Sequence, residues 1–244
     1  MVEIAVSSEA QVQVWSAPID LSPAAQGRLS AVLSPSERER AGRLHSERDR
    51  ARFSACRGWL REVLAEHLET EPGKVEFLYR AGGKPALAPT MGCDLRFNVA
   101  QSGGLALIAL AEKVEVGVDL ELVRPDFRVD LIADRFFSQA ERARLRGLVG
   151  AARVGAFFEM WTQKEAYLKG VGIGLSDQGL RVDTVSPNGP RLPAATQKGL
   201  GASATSGWTV RSIYAGGAYA AALAVQAPDL PLPAVAQPLW PRGA

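Results

Sequence analysis

"EVGVDLELV", residues Glu115 to Val123, is the stretch on which the reading of this chain turns. Val116, Val118, Leu120 and Leu122 alternate with Gly117, Asp119 and Glu121, the period of a half-buried strand. Asp119 and Glu121 therefore project from the same face. Residues two apart on a strand have Cα atoms roughly 6.5–7 Å apart, so two flexible carboxylates can converge on one hard cation bound at about 2.0–2.1 Å. Gly117 beside them is expected to leave space for a ligand. An acidic pair on the wet face of an antiparallel strand is also commonplace, so the strand alone does not choose between the two readings.

A second stretch bears on that choice. In "WTQKEAYLKG", Trp161 to Gly170, a helical turn of about 100° per residue places Val154, Phe157, Phe158, Trp161 and Leu168 on one stripe with Glu165 in its middle. An ionised carboxylate on a buried face is costly unless it is paired or bound to metal. Lys164 and Lys169 flank the stripe, and a Glu165–Lys169 pair at i,i+4 would by itself account for the charge. Taken together, the two stretches offer three carboxylates and a lysine. That set suits Mg²⁺ sites that hold substrate phosphates and leave the other positions to water. The lysine can neutralise charge developing on a phosphoryl oxygen or leaving group.

Outward from these stretches, the pattern predicts a first strand at Val12 to Trp15. A helical region follows from Ser34 to Leu68, where Ser34, Pro35 and Glu37 form an N-cap, N1 and capping-box signature, and Gly42 and Gly58 suggest more than one helix. Residues 75–123 read as strands and turns ("VEFLYR", "GGKPAL", "LRFNVAQSGG", "LALIALAEKVEVGVDLELV"), with Glu112-Lys113 as a hairpin tip. "FSQAERARLRGL" predicts a helix opening at Ser138, and a further helix is expected from Val154 to Lys169. Gly170 to Gly174 close it as a C-cap and loop. "GVGIGL" follows a helix and lacks the dinucleotide spacing, so it reads as a helix-ending turn. "WTVRSIYA" and "AYAAALAV" predict a last pair of strands before a Pro/Ala-rich tail, expected to pack loosely or stay mobile.

Composition sets the outer bounds. The 244 residues are 47% hydrophobic and 22% charged, ordinary for a globular chain, and 28 basic against 26 acidic side chains give a net charge of +2. No global field argues for nucleic acid. Cys56 and Cys93 lie far apart with no partner at ligand spacing, which suggests neither a disulfide framework nor a zinc site. The N-terminus has no signal-like pattern, and no window approaches the roughly 18 apolar residues of a membrane span. The expectation is a cytoplasmic protein with no membrane partner. His45 and His67 have no catalytic partner at useful spacing and receive no role.

"GVDLE" followed about forty residues later by "WTQKEAYLKG" closely resembles the paired signature of the Sfp-type 4'-phosphopantetheinyl transferases. "GGKPAL" is similar to that family's Gly-Lys-Pro segment, "FNVAQSGG" to its Phe-Asn-x-Ser-His-Ser stretch, and "RFFSQAE" to its Phe-Phe-Ser-x-x-Glu stretch. The resemblance runs from about Ser34 to Leu180. It implies an α+β monomer with a pseudo-twofold arrangement of two similar subdomains, each a small antiparallel sheet packed with helices. The expected division is residues 1–115, residues 116–226 and a tail of residues 227–244. The implied reaction transfers 4'-phosphopantetheine from coenzyme A to a serine of an apo acyl or peptidyl carrier protein, releasing 3',5'-ADP. By resemblance, Asp119, Glu121 and Glu165 would hold Mg²⁺, Lys169 would stabilise phosphate charge, and Lys84 with Pro85 would lie near the nucleotide. Lys164 would touch the cofactor or only orient its neighbour.

The base is left open between Glu165 and Glu141, the latter acting through a water. Eight arginines lie between Arg38 and Arg61, and Arg40 and Arg52 are carried as contacts to the coenzyme A 3'-phosphate, which a planar guanidinium suits. The others read as a solvated face. Where the family carries Ser-His, this chain has Ala100 and Gln101, so a histidine contact to the phosphates is replaced by the Gln101 amide beside Ser102. That departure motivates the rival expectation of a non-catalytic relative that binds coenzyme A or carrier protein without transfer.

Overall fold

A computed structural model describes residues 12–80, 83–173, 182–184, 190, 205–228 and 237–238. Its elements are mixed helices and small, mostly antiparallel sheets, an α+β architecture with two like halves. In the first half, β1 (Val12–Pro18), β4 (Leu95–Ser102) and β5 (Leu105–Glu112) form a sheet in the order β4-β5-β1, with β2 (Phe77–Tyr79) and β3 (Pro85–Leu87) as a separate antiparallel pair. In the second half, β6 (Val116–Leu122), β7 (Thr209–Ser212) and β8 (Tyr219–Val225) pair antiparallel in the order β6-β8-β7.

Each sheet has two differently employed faces. Val12, Val14, Ala100, Leu107, Ala109 and Ala111 of the first sheet share one core with Val116, Val118, Leu120, Leu223 and Val225 of the second. On its other face the first sheet presents Phe97, Ala106, Ile108 and Leu110 to Trp59, Leu60 and Leu64 of the 21-residue helix α3 (Glu47–His67). The second sheet presents Ala222 and Ala224 to Ala166 and Leu168 of the 22-residue helix α6 (Gly150–Val171). The alternation of β strands thus makes a stack of helix, sheet, sheet and helix, joined by the inner core.

The capping box at Ser34 and the helix opening at Ser138 form as read. Ser34 caps α2 (Pro35–Gly42) and Ser138 caps α5 (Gln139–Arg146), each with a full capping box closed by Glu37 and Glu141. Helix α6 ends at Gly172, whose φ of 82° is the left-handed cap conformation; Gly174 of the same turn lies outside the described residues.

Some expectations need correction. Helices α1 (Pro23–Ala31) and α4 (Val129–Phe136) were not expected. Gly58 does not interrupt α3: a Cβ there would come within 2.6 Å of Leu29 Cβ, so it is the point where α1 and α3 touch. The turn at Glu112-Lys113 is sharp, with Lys113 at φ 62°, yet β5 and β6 do not form a hairpin. They diverge into different sheets. Of the C-terminal tail, Gln237–Pro238 (β9) pairs in parallel with Trp15 and Ser16 on the edge of the first sheet. Among the described residues no helix is long and apolar enough to cross a membrane. Cys56 and Cys93 are free thiols.

Candidate active site

The register of β6 against β8 puts Gly117, Asp119 and Glu121 on the face that meets α6. Gly117 is required there for a reason other than the expected one. A Cβ on Gly117 would fall 2.0 Å from the Ala166 carbonyl oxygen and 2.4 Å from the Gly170 nitrogen, so helix backbone fills the space that a ligand was expected to take. Gly170 is constrained in turn, since its Cβ would lie 2.5 Å from the Trp208 ring. The glycines of the two signature stretches therefore set the distance between strand and helix, and with it the distance between their carboxylates.

At that crossing Asp119, Glu121 and Glu165 each offer an oxygen, all within 4.8 Å of one another. Asp119 and Glu165 are only 2% and 7% exposed. Among the described residues one cation faces them: the Lys169 ammonium donates to Asp119 Oδ1 and lies 3.8 Å from Glu165 Oε2. Asp119 Oδ2 is buried with no hydrogen-bond partner among the described residues. Burial pushes the Asp119 carboxyl up to about 6 against the pull of Lys169. Burial, and then the neighbouring Asp119, push Glu165 up to about 8. Lys169, although burial disfavours its charge, is held above the ordinary lysine value by Asp119 and Glu165. The Trp161 ring stacks with Phe137 and Phe157, which fixes the helix face.

Three hard oxygen donors, one ammonium and one orphaned buried oxygen suit a small divalent cation that retains other oxygen ligands. The sequence pattern of the 4'-phosphopantetheinyl transferase superfamily matches residues 115–224, which contain this crossing. The chain is 40% identical over 167 residues to the 4'-phosphopantetheinyl transferase HetI of Nostoc sp., covering 68% of this chain and 70% of that protein. The chain belongs to the 4'-phosphopantetheinyl transferase superfamily. It is also 31% identical over 183 residues to a phosphopantetheinyl transferase of Thraustochytrium sp., covering 68% of this chain and 62% of that one. Against the 4'-phosphopantetheinyl transferase Sfp of Bacillus subtilis it is 29% identical over 157 residues, covering 64% and 67%. The enzyme class is that of these transferases.

Within this phosphopantetheinyl transferase the other expected site residues separate by their partners. Glu141 and Lys164, both 0% exposed, pair with each other at 2.7 Å. Glu141 also accepts from the Ser138 nitrogen and from the Thr184 nitrogen and hydroxyl, and Lys164 donates to the Val182 carbonyl. Burial lowers the Lys164 pKa, with Glu141 opposing. These two therefore tie α5 and residues 182–184 to α6, and Glu141 is not part of the converged acidic group. Lys84 is likewise engaged: its ammonium donates to Glu115 Oε2 at 2.7 Å, the Val116 carbonyl at 3.1 Å and the Gly170 carbonyl at 2.7 Å. All three of its protons go to protein acceptors, so it clamps the β6–α6 crossing from the first half. Pro85 opens β3 opposite Tyr79.

Arg52 makes a two-pronged contact with Asp20, 2.7 Å on each arm, and Asp20 lies against the Gly103-Gly104 turn that follows β4. Arg40 is exposed, its guanidinium 5.5 Å from the Phe53 ring centroid. Arg57 and Arg61, in contrast, are buried on Glu37 at 2.7 Å each. Gln101 is exposed on the β4 face shared with Phe97, toward α3, whereas Ala100 on the opposite face belongs to the inner core. Burial pushes the Cys56 thiol of α3 up to about 12, with Arg57 and Lys169 acting in the other direction. The acidic group thus sits where the two halves meet. Ser102 comes to it directly, donating to Glu121 Oε2 at 2.9 Å. That contact crosses the halves, and no local pattern signals it.

Proposed function

We propose that this chain transfers the 4'-phosphopantetheine moiety of coenzyme A to a serine of apo acyl or peptidyl carrier proteins and releases 3',5'-ADP. The observation that carries the reading is the convergence of Asp119, Glu121 and Glu165 around Lys169, with Asp119 Oδ2 left without a hydrogen-bond partner among the described residues. These three carboxylates would hold Mg²⁺, which when bound supplies positive charge to the pyrophosphate of coenzyme A.

The serine oxygen forms a bond to the β-phosphorus, and the bond from that phosphorus to the oxygen bridging to 3',5'-ADP breaks. The Lys169 ammonium is the group suited to the charge that collects on the phosphate and leaving oxygens. The serine proton needs an acceptor. Glu165 belongs to the converged acidic group and is the proposed acceptor, whereas the Glu141 carboxylate is committed to Lys164, Ser138 and Thr184. Arg52, Arg40 and Gln101, on the α3 side, are proposed for the nucleotide end of coenzyme A. The division at residues 115 and 116 is supported by the switch of sheets between Glu112 and Val116.

The test is direct. The chain is incubated with coenzyme A, Mg²⁺ and an apo carrier protein, and the carrier is weighed by mass spectrometry. The reading expects a gain of one phosphopantetheine that is lost with EDTA and with Asp119→Ala. Retained coenzyme A binding without any gain would favour the non-catalytic alternative.

A further inference from the structure

β4 and β6 are edge strands of the two sheets, lying side by side with no backbone ladder between them among the described residues. An edge strand leaves alternate N–H groups without partners. Here side chains of β4 supply the acceptors. Asn98 Oδ1 accepts from the Val118 nitrogen at 3.1 Å, and four residues further along both strands Ser102 Oγ accepts from the Leu122 nitrogen at 3.0 Å. The equal spacing shows two strands advancing in the same direction in fixed register.

Ser102 differs from Asn98 in what it does with its remaining capacity. A hydroxyl has one proton to donate, and with the Leu122 N–H occupying a lone pair, that proton is directed to Glu121 Oε2 at 2.9 Å. The turn behind Ser102 is fixed from the second half as well: the Gly104 nitrogen donates to the Tyr219 hydroxyl at 3.3 Å. A Cβ on Gly103, which has φ 56°, would lie 3.0 Å from that hydroxyl. Both neighbours of the Ser102 side chain thus have defined positions.

We propose that Ser102 is a positioning residue for the divalent-cation site. It fixes one oxygen, and so the plane, of the Glu121 carboxylate, and makes the site depend on correct docking of the two halves. The inference rests on the reading of Asp119, Glu121 and Glu165 as cation ligands. Hydrogen bonds to ligating carboxylates orient them and typically change metal affinity by about 10–100-fold when removed.

The experiment is a calorimetric Mg²⁺ titration of the full chain without coenzyme A, alongside thermal melting in EDTA, for the wild type, Ser102→Ala, Ser102→Cys, Ser102→Thr and Asp119→Asn. Ser102→Ala is expected to bind Mg²⁺ about 10-fold more weakly. Ser102→Cys keeps the volume but is a weak donor, and is expected to weaken binding similarly while melting as the wild type does. Ser102→Thr keeps the hydroxyl and is expected to lose less affinity than the roughly 10-fold that marks removal of such a partner. Wild-type affinity in Ser102→Ala and Ser102→Cys, with binding lost in Asp119→Asn, overturns the role of Ser102 and leaves the cation site standing. Undiminished binding in Asp119→Asn overturns the cation reading and this inference with it.

Discussion

Two buried charge clusters, one in each half, are built on opposite balances. At Glu37 one carboxylate, 3% exposed, meets two guanidiniums, Arg57 and Arg61, and accepts the capping bond from the Ser34 nitrogen. Burial pushes the Glu37 carboxyl up, but Arg57, the Ser34 N–H and Arg61 together outweigh it and leave it below the ordinary value. At Asp119 three carboxylates meet one ammonium, and two of them are driven above the ordinary value. At Glu37 the cations outnumber the carboxylate. At Asp119 the carboxylates outnumber the cation among the described residues. The difference separates a structural arginine cluster from a candidate catalytic one within a single chain, and sequence composition treats the two alike.

The comparison can be broken first on the acidic side. Asp119→Asn removes the orphaned carboxylate at nearly constant shape, and phosphopantetheine transfer is expected to fall by about 10²–10³-fold. The metal-free protein should at the same time melt at a higher temperature, because a buried charge without full compensation has been removed. A lower melting temperature would show that the carboxylate is structural. On the other side, Glu37→Gln leaves two buried guanidiniums without their anion, and is expected to cost about 3–5 kcal/mol in urea unfolding. The affinity of the remaining folded protein for Mg²⁺ should not change.

The two clusters should also respond oppositely to pH. Asp119 and Glu165 bind protons more tightly when folded than the unfolded values of about 3.9 and 4.3, so between those values and about 6 and 8 the native state holds more protons. Stability of the metal-free chain should therefore fall as pH rises through that window. Glu37, lowered in the folded state, gives stability that is present above its unfolded value and lost as pH falls through its folded one. Melting in EDTA from pH 5 to 8.5 should show a decline, and Mg²⁺ should raise the melting temperature more at pH 8.5 than at pH 5. A flat profile would remove the electrostatic contrast. The smallest effect is expected at Arg52→Gln. Its pair with Asp20 is half exposed and contributes about 0.2–1 kcal/mol to stability, so the variant should melt nearly as the wild type while the KM for coenzyme A rises several-fold, as expected on loss of a bidentate anion contact.

Much of this was legible in the sequence where the cause is local. The capping box at Ser34, the helix opening at Ser138 and the apolar stripe of α6 are short-range patterns, and the structure has each of them; β6 was expected to be half-buried, but residues 116–120 are buried on both faces because α6 covers the second one. The short helices α1 and α4 were not legible: α1 fully buries only Leu29, and α4 starts at Arg128 without a side-chain cap bond. The supposed hairpin at Lys113 misled because a left-handed turn is local, whereas the choice of β8 as the partner of β6 depends on residues far along the chain. The site divides in the same manner. Asp119, Glu121, Glu165 and Lys169 follow from strand and helix periodicity, but the clamping roles of Lys84 and Glu141 and the contact of Ser102 with Glu121 need the halves assembled.

The measurement that tests the central claim most directly is a calorimetric titration of the chain with Mg²⁺ at pH 8, compared with Asp119→Asn. The account predicts saturable binding of one ion per chain that disappears in the variant while its fold is retained. Absence of binding in the wild type, or binding of equal strength in the folded variant, would contradict it.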